Sequence, residues 1–437
     1  MITMEQMQAA ISDRIQQYHT EVTMRTQTLA LADSLHHILA ANVRAPFAIP
    51  RQNVSAMDGY AIAAGSHTDL GATLSIVGES KAGSPYQGNV RAGQGVRIFT
   101  GAVVPDDCDT IVMQEDTEKV AASADALTND DHQTYTIGLT DSAPVGKHIR
   151  YAGEEIAQDE TVLTAGQRIT PTDVSLLASL GVAHIEVYRP LTVGILATGD
   201  ELVSVGQPLT HSAQIYDANT PTLQQLFVGL PITVRDYGII PDALETTKKT
   251  VTQAATDCDV LVSTAGVSVG DYDYLTSVID ELGHINHYKV AMKPGKPFVF
   301  GELYKSDKTP VLYFGLPGNP LSAVVGAMQF VIPALWRLAG VTTDAPLTPL
   351  TVRARLTTDT KKAKGRTDFQ RAKLTQQADG RFEVTCFAGQ QSHRIKQLSQ
   401  ANCFAVLDKD SGDVPAGTSV LVQPFAWGFI PLTDNAK

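Results

Sequence analysis

This 437-residue chain has no long uninterrupted apolar run, no excess of positive charge and no paired-cysteine motif. Its apolar runs fall short of the roughly 20 residues that a membrane-spanning helix needs. Met1–Thr20 is polar and helical in pattern, without the basic and apolar segments of a secretory leader, so a cytoplasmic protein is expected. Net charge is −12, which argues against a nucleic-acid partner bound across the surface. An anionic ligand must therefore be held by local features. Cys108, Cys258, Cys386 and Cys403 show no CxxC spacing, which excludes a zinc or iron–sulfur site of the usual pattern and predicts buried or half-buried free thiols. The common nucleotide motifs are missing too. No GxGxxG follows a strand, and Gly146-Lys147 lacks the rest of a phosphate loop. His36 and His37 are adjacent, and on the helix expected near Ala32–Leu39 they would face apart.

What the chain does have is a series of Gly/Pro turns placed where apolar strands end. Asp259–Thr264 runs into Ala265-Gly-Val-Ser-Val-Gly-Asp-Tyr-Asp273, Val290–Met292 into Lys293-Pro-Gly-Lys-Pro297, and Val311–Leu316 into Pro317-Gly-Asn-Pro-Leu-Ser322. Open α/β sheets bind ligands in the loops beyond the carboxyl ends of their strands. Glycines there let backbone N–H groups approach an oxyanion closely. Two lysines on a proline-stiffened loop lose less entropy on closing around an anion. Together with Asp271 and Asp273, which are also placed to cap the next helix, the loops predict a site for a phosphorylated or oxyanionic ligand, with a divalent metal. Thr198-Gly-Asp-Glu-Leu202 sets Asp200 and Glu201 at a further strand end, where carboxylates bind a metal or donate a proton. By spacing alone, Asp58-Gly59 is simply a turn.

A chain of this length exceeds one hydrophobic core. Met4, Met7, Ile11, Ile15 and Tyr18 predict an amphipathic helix over 3–19. Residues 51–148 consist of short β-branched runs between turn residues, a small β-rich domain. From Leu191 strands and helices alternate, with Thr220 as N-cap before Pro221, and a long apolar helix spans Pro320 to about Leu338. This pattern predicts a mostly parallel sheet with helices on both faces. Beyond Val341 the chain is β-rich again. The expected fold is therefore α/β plus β-rich domains. The boundaries are 1–50 with 149–188 for an N-terminal linking and dimerisation domain, 51–148 for the β-rich insert, 189–341 for the central α/β domain and 342–437 for a C-terminal β-barrel-like domain.

Ser55-Ala-Met-Asp-Gly-Tyr-Ala61 resembles the signature of the molybdopterin molybdenumtransferases, the family that includes the C-terminal domain of gephyrin. Further blocks follow in that family's order: Arg97–Ala102, Asp109–Glu115, Arg150–Ile156, Thr198–Leu202, Gln214–Asp217, Gly266–Gly270, Lys293–Pro297, Leu316–Ser322, Gly365–Arg371 and Gly389–Ser392. The resemblance covers essentially the whole chain. It implies an elongated four-domain subunit that forms a homodimer. The implied reaction inserts molybdenum from molybdate into adenylylated molybdopterin and releases AMP, with Mg2+. Carried onto this sequence, the resemblance implies Asp58, Glu201, Asp273 and Glu155 as catalytic carboxylates, with Asp58 of the same or the partner subunit. Glu201 and Asp273 are the implied metal ligands. The implied ligand contacts are Thr100, Gly266, Ser268, Gly270, Lys293, Lys296, Pro297, Gly318, Ser322, Arg366 and Ser392. A transient contact with the molybdopterin adenylyltransferase is a further implication. Gly153-Glu154-Glu155 stands where the family has Gly-Glu-Asp, one methylene longer. Two alternatives are adenylylation of molybdopterin by ATP, and a non-catalytic molybdopterin-binding scaffold.

Overall fold

A computed structural model describes residues 1–120, 135–265, 274–342 and 347–426. The chain divides into two compact units. The larger comprises Met1–Ala41, Ala165–Ser175 and Ala183–Lys437, and the smaller Asn42–Thr164 with Leu176–Val182.

The larger unit begins with the helix Met4–Glu21, closed at its start by a capping box. Thr3 Oγ1 accepts from Gln6 N (3.2 Å) and Gln6 Oε1 from Thr3 N (2.9 Å). Met4, Met7, Ile11, Ile15 and Tyr18 form its buried face, as their spacing requires. The helix expected at Ala32–Leu39 does not form. Leu31–Asp33 makes one 3-10 turn, His36 has φ +69°, and Ile38 and Leu39 are drawn into β-bridges with Arg168 and Val187.

The central sheet of this unit has the strand order Ile232–Ile240, Leu191–Thr198, Val260–Thr264, Pro310–Leu316, Pro297–Tyr304 and Gly283–Lys289. All run in one direction except Pro297–Tyr304, which is antiparallel to both of its neighbours. Alternation along the strands fills two cores. Val193, Ile195, Val262 and Phe314 pack into one face, Leu196, Leu261, Val311 and Tyr313 into the other. Because Val299 lies opposite Gly315, the start of the antiparallel Pro297–Tyr304 strand sits at the carboxyl rim of the parallel ones. The 290–296 loop therefore shares the rim with the turns after Thr198, Thr264 and Leu316.

The Pro320–Leu338 segment is long and apolar enough for a membrane span, closer to that limit than the sequence reading allowed, but 78% of its most apolar stretch is buried in the protein core. It is α-helical from Pro320 to Gly326, π-helical over Ala327–Val331 and α-helical again over Ile332–Leu338. The C-terminal strands Val352–Leu356, Thr367–Gln376, Phe382–Cys386, Cys403–Leu407 and Ser419–Pro424 close into a five-stranded barrel, since Thr367–Gln376 pairs with both Phe382–Cys386 and Cys403–Leu407.

The smaller unit is built on a six-stranded sheet, ordered Cys108–Met113, Gly59–Ala63, Gln94–Ile98, Thr73–Ser80, Tyr135–Leu139 and Thr117–Val120. Gly59 sits where strands crowd: a Cβ there would lie 1.9 Å from the Val112 carbonyl oxygen. All four cysteines are free; Cys108, Cys258 and Cys403 are buried and Cys386 half-buried.

Candidate functional site

The rim of the larger unit gathers its turns through a few short contacts. After Thr264, Ala265 adopts φ +71° and donates its N–H to Leu316 O (3.0 Å). Gly318 packs on it so closely that a Cβ at Gly318 would lie 3.4 Å from Ala265 Cβ. Asp217 Oδ1, rather than the expected Thr220, caps the helix Asn219–Leu226, accepting from Asn219 N (2.9 Å) and Thr220 N (3.1 Å). That turn aims the Asn219 amide at Gly318 O (2.8 Å). Four buried polar atoms here find no hydrogen-bond partner among the described residues: Asn219 Oδ1, Thr220 Oγ1, Thr264 Oγ1 and Asn319 Oδ1. Such groups cost free energy when dry, and a cluster of them at the carboxyl rim is what a polar ligand would satisfy. None of the four is among the ligand contacts expected from the sequence, although Asn319 lies within Leu316–Ser322 and Asn219 and Thr220 follow Gln214–Asp217 closely.

Glu201 is tied to the same region. The short parallel pair Leu202–Val203 and Ile215–Tyr216 is extended by Ile215 N donating to Glu201 O (2.8 Å) and Asp217 N to Val203 O (3.0 Å). The Glu201 carboxylate folds over Gly199, occupying the space a Cβ would need (2.5 Å), and Gly199 has φ +139°. It is exposed and in no ion pair among the described residues. Asp200 is engaged locally, accepting from Asp242 N (3.0 Å). Gly266, Ser268, Gly270, Asp271 and Asp273 lie outside the described residues. Among the described residues no three His, Cys, Asp or Glu side chains gather as a metal cage.

The lysine loop bends at Gly295, whose φ is +89°; a Cβ there would meet Met292 Cε at 2.7 Å and Ser322 O at 3.4 Å. It therefore lies directly on Ser322, which is buried. Lys296 and Pro297 are exposed beside it. Met292–Lys293 pairs in parallel with Thr367–Asp368 of the barrel, which brings Arg366 to the same place. Lys293 Nζ meets the buried Asp368 Oδ2 at 3.1 Å. Lys296 and Arg366 make no ion pair among the described residues. Beside Lys293 opens a cleft of about 690 Å³ lined by Thr358–Lys361, Gln370 and Cys386–Gln391, the last of these adjoining Ser392. Lys362, unremarked in the sequence, is buried here, donating to Ala363 O (3.1 Å) and Ser411 O (2.9 Å). Burial lowers its pKa, against the opposing pull of Asp368.

Three expected residues belong to the smaller unit. Asp58 Oδ1 accepts from both Thr100 N and Thr100 Oγ1, each at 2.8 Å. These two bonds, with Arg97 nearby, hold its carboxyl below the ordinary value of 3.8. The Asp58 carboxylate is therefore ionised at neutral pH. The Thr100 hydroxyl is committed to Asp58. Glu155 lies on an exposed turn, its N–H donating to Ile49 O (3.1 Å), with no hydrogen bond to Asp58 or Thr100.

Comparison with known proteins covers nearly the whole chain. Residues 2–181 match the MoeA N-terminal region (domain I and II), 194–337 a probable molybdopterin binding domain, and 353–425 the MoeA C-terminal region (domain IV). The molybdopterin molybdenumtransferase of Haemophilus influenzae is 36% identical over 97% of this chain and 99% of its own length. That of Bacillus subtilis is 31% identical over 92% and 91%. The crystal structure of the molybdopterin biosynthesis MoeA protein from Pyrococcus horikoshii OT3 superposes with a TM-score of 0.75 at 23% identity, covering 95% of this chain and 99% of that one.

Proposed function

Because this chain belongs to the molybdopterin molybdenumtransferases, enzymes of molybdenum cofactor biosynthesis, we propose that its rim site holds adenylylated molybdopterin and molybdate and releases AMP as molybdenum is inserted. The observation that carries this reading is the cluster of buried oxygens on Asn219, Thr220, Thr264 and Asn319, which have no partner among the described residues, together with the lysine loop. The oxygens suit the hydroxyls and ring amines of a pterin and a ribose, and the lysines suit the anionic part.

Molybdate is a dianion. In this reading Lys293, Lys296, Ser322 and the Arg366 guanidinium bind it, with Ser392 across the cleft, and Gly318 and Pro297 shape the approach. Gly266, Ser268 and Gly270 cradle the phosphates. Two thiolates replacing oxo groups require oxide to leave as water, two protons for each. Glu201 and Asp273 are suited to deliver them. Asp58, ionised at neutral pH, and the exposed Glu155 carboxylate take part in the same traffic. Glu201 also fits Mg2+, because its free carboxylate lies cradled over Gly199 and offers the hard oxygen that this ion prefers. Together with Asp273 it would hold the ion, which neutralises pyrophosphate charge. A homodimer in the cytoplasm, receiving substrate from the adenylyltransferase, completes the proposal.

The test is AMP release from adenylyl-molybdopterin on adding molybdate. Asp273→Asn is expected to abolish release while the protein keeps its cooperative melt. Unchanged release would overturn the assignment. Accumulation of adenylate from ATP and molybdopterin without molybdate would favour adenylylation instead.

A further inference from the structure

The largest wholly buried side chain of the described residues is an arginine, Arg371, on the Thr367–Gln376 strand. Among the described residues it meets no carboxylate. Its donors instead go almost entirely to one six-residue loop. Nη1 donates to Arg394 O (2.9 Å), Nη2 to Gln391 O (3.1 Å) and Gly389 O (3.5 Å), and Nε to Gln390 Oε1 (3.3 Å). Gln390 completes the clasp: Oε1 also accepts from Arg371 N (3.0 Å), and Nε2 donates to Arg371 O (3.0 Å) and Phe387 O (2.8 Å). The segment 389–394 belongs to no strand or helix and is mostly exposed. A loop of that kind would otherwise sample many conformations, and fixing each residue costs on the order of 1 kcal/mol.

Burying a cation without a counter-ion is a poor way to gain stability, because desolvation is large and carbonyl dipoles compensate only in part. A carboxylate in its place of contact would brace the loop as well. It would also cancel the charge beneath the cleft that Lys293, Gln390 and Gln391 line. We infer that Arg371 is the positioning residue of the oxyanion site: its fork fixes the 389–394 loop so that Ser392 faces the anion, and its uncancelled charge favours the anion from below. The inference rests on the proposed oxyanion role of Ser392. Arg371 itself touches no ligand.

The experiment is a double-mutant cycle on the full chain, reading kcat and the KM for molybdate and for adenylyl-molybdopterin separately. Arg371→Lys keeps the charge but loses the fork, and should raise the molybdate KM by about tenfold, leaving the adenylate KM within about twofold. Adding Ser392→Ala to Arg371→Lys should then cost little more than Arg371→Lys alone, because the serine is already misplaced. An unchanged molybdate KM in folded Arg371→Lys, or effects that multiply in the double variant, would overturn the inference. A Ser392→Ala enzyme with normal molybdate KM would instead sink the oxyanion role of that serine. Should Arg371→Lys fail to fold, Gln390→Ala cuts the clasp from the loop side. It must raise the molybdate KM in the same selective way, or the inference falls.

Discussion

Asp58 shows how much a single residue's partners decide. In the sequence it is the middle residue of a Met-Asp-Gly turn, and only the family resemblance marks it. In the structure two donors from Thr100 converge on one of its oxygens. A group whose folded pKa is depressed adds stability above its unfolded value and loses it as pH falls through the folded one. For Asp58 that loss lies below pH 3.8. Thr100→Val removes one of the two donors and should move the Asp58 pKa back up towards 3.8. The acid limb of the pH–rate profile is then expected to shift to higher pH, with little change near neutrality. An acid limb that stays in place would mean Asp58 takes no part in it. The buried cations Lys362 and Arg371 were invisible at this scale, because lysine and arginine in a polar stretch read as solvated surface. Only long-range contacts turn them inward: Arg371 lies opposite Phe404 in the barrel, and Lys362 is tied to Ser411 and Asp413.

Among elements, those with strong periodicity were legible. The first helix and the strands Leu191–Thr198, Val260–Thr264 and Pro310–Leu316 lie within a residue or two of where the apolar pattern sets them. The Ala32–Leu39 segment failed because its helical pattern is local, whereas its apolar residues are claimed by bridges to residues more than a hundred positions away. Thr220 failed as a cap because the helix starts before it, at Asn219, with Asp217 accepting from the first N–H groups. The lysine loop is the element on which the site depends most. Gly295→Ala places a Cβ at φ +89° and against Met292, and should lower stability by about 1–2 kcal/mol while displacing the two lysines from Ser322. Its expected signature is a raised molybdate KM with a small fall in Tm. A fall in Tm alone would show that the loop's shape is structural only.

For the molecule as a whole, the alternation of β-rich and α/β stretches foretold the layout well, since it reflects where cores can form. The mostly parallel central sheet, the β-rich insert and the barrel all appear, while the one reversed strand, Pro297–Tyr304, was not foreseen. Each compact unit has its own core: Val96, Ile98 and Ile111 in the smaller, Val262, Phe314 and Phe330 in the larger. Calorimetry should therefore resolve two transitions. Gly59→Ala, driving a methyl into the Val112 carbonyl, should cost the smaller unit more than about 3 kcal/mol and lower one transition only. A single transition that shifts as a whole would refute independent unfolding.

The C-terminal barrel carries one last consequence. Its ring is completed where Phe369 pairs with Val406 and Ala372 with Cys403, so every strand has two neighbours and no backbone rim is left for a foreign chain to zip onto. Unpeeling any one strand bares two such rims together. The barrel should therefore come apart all at once rather than fray, and aggregation through it should begin only after that loss.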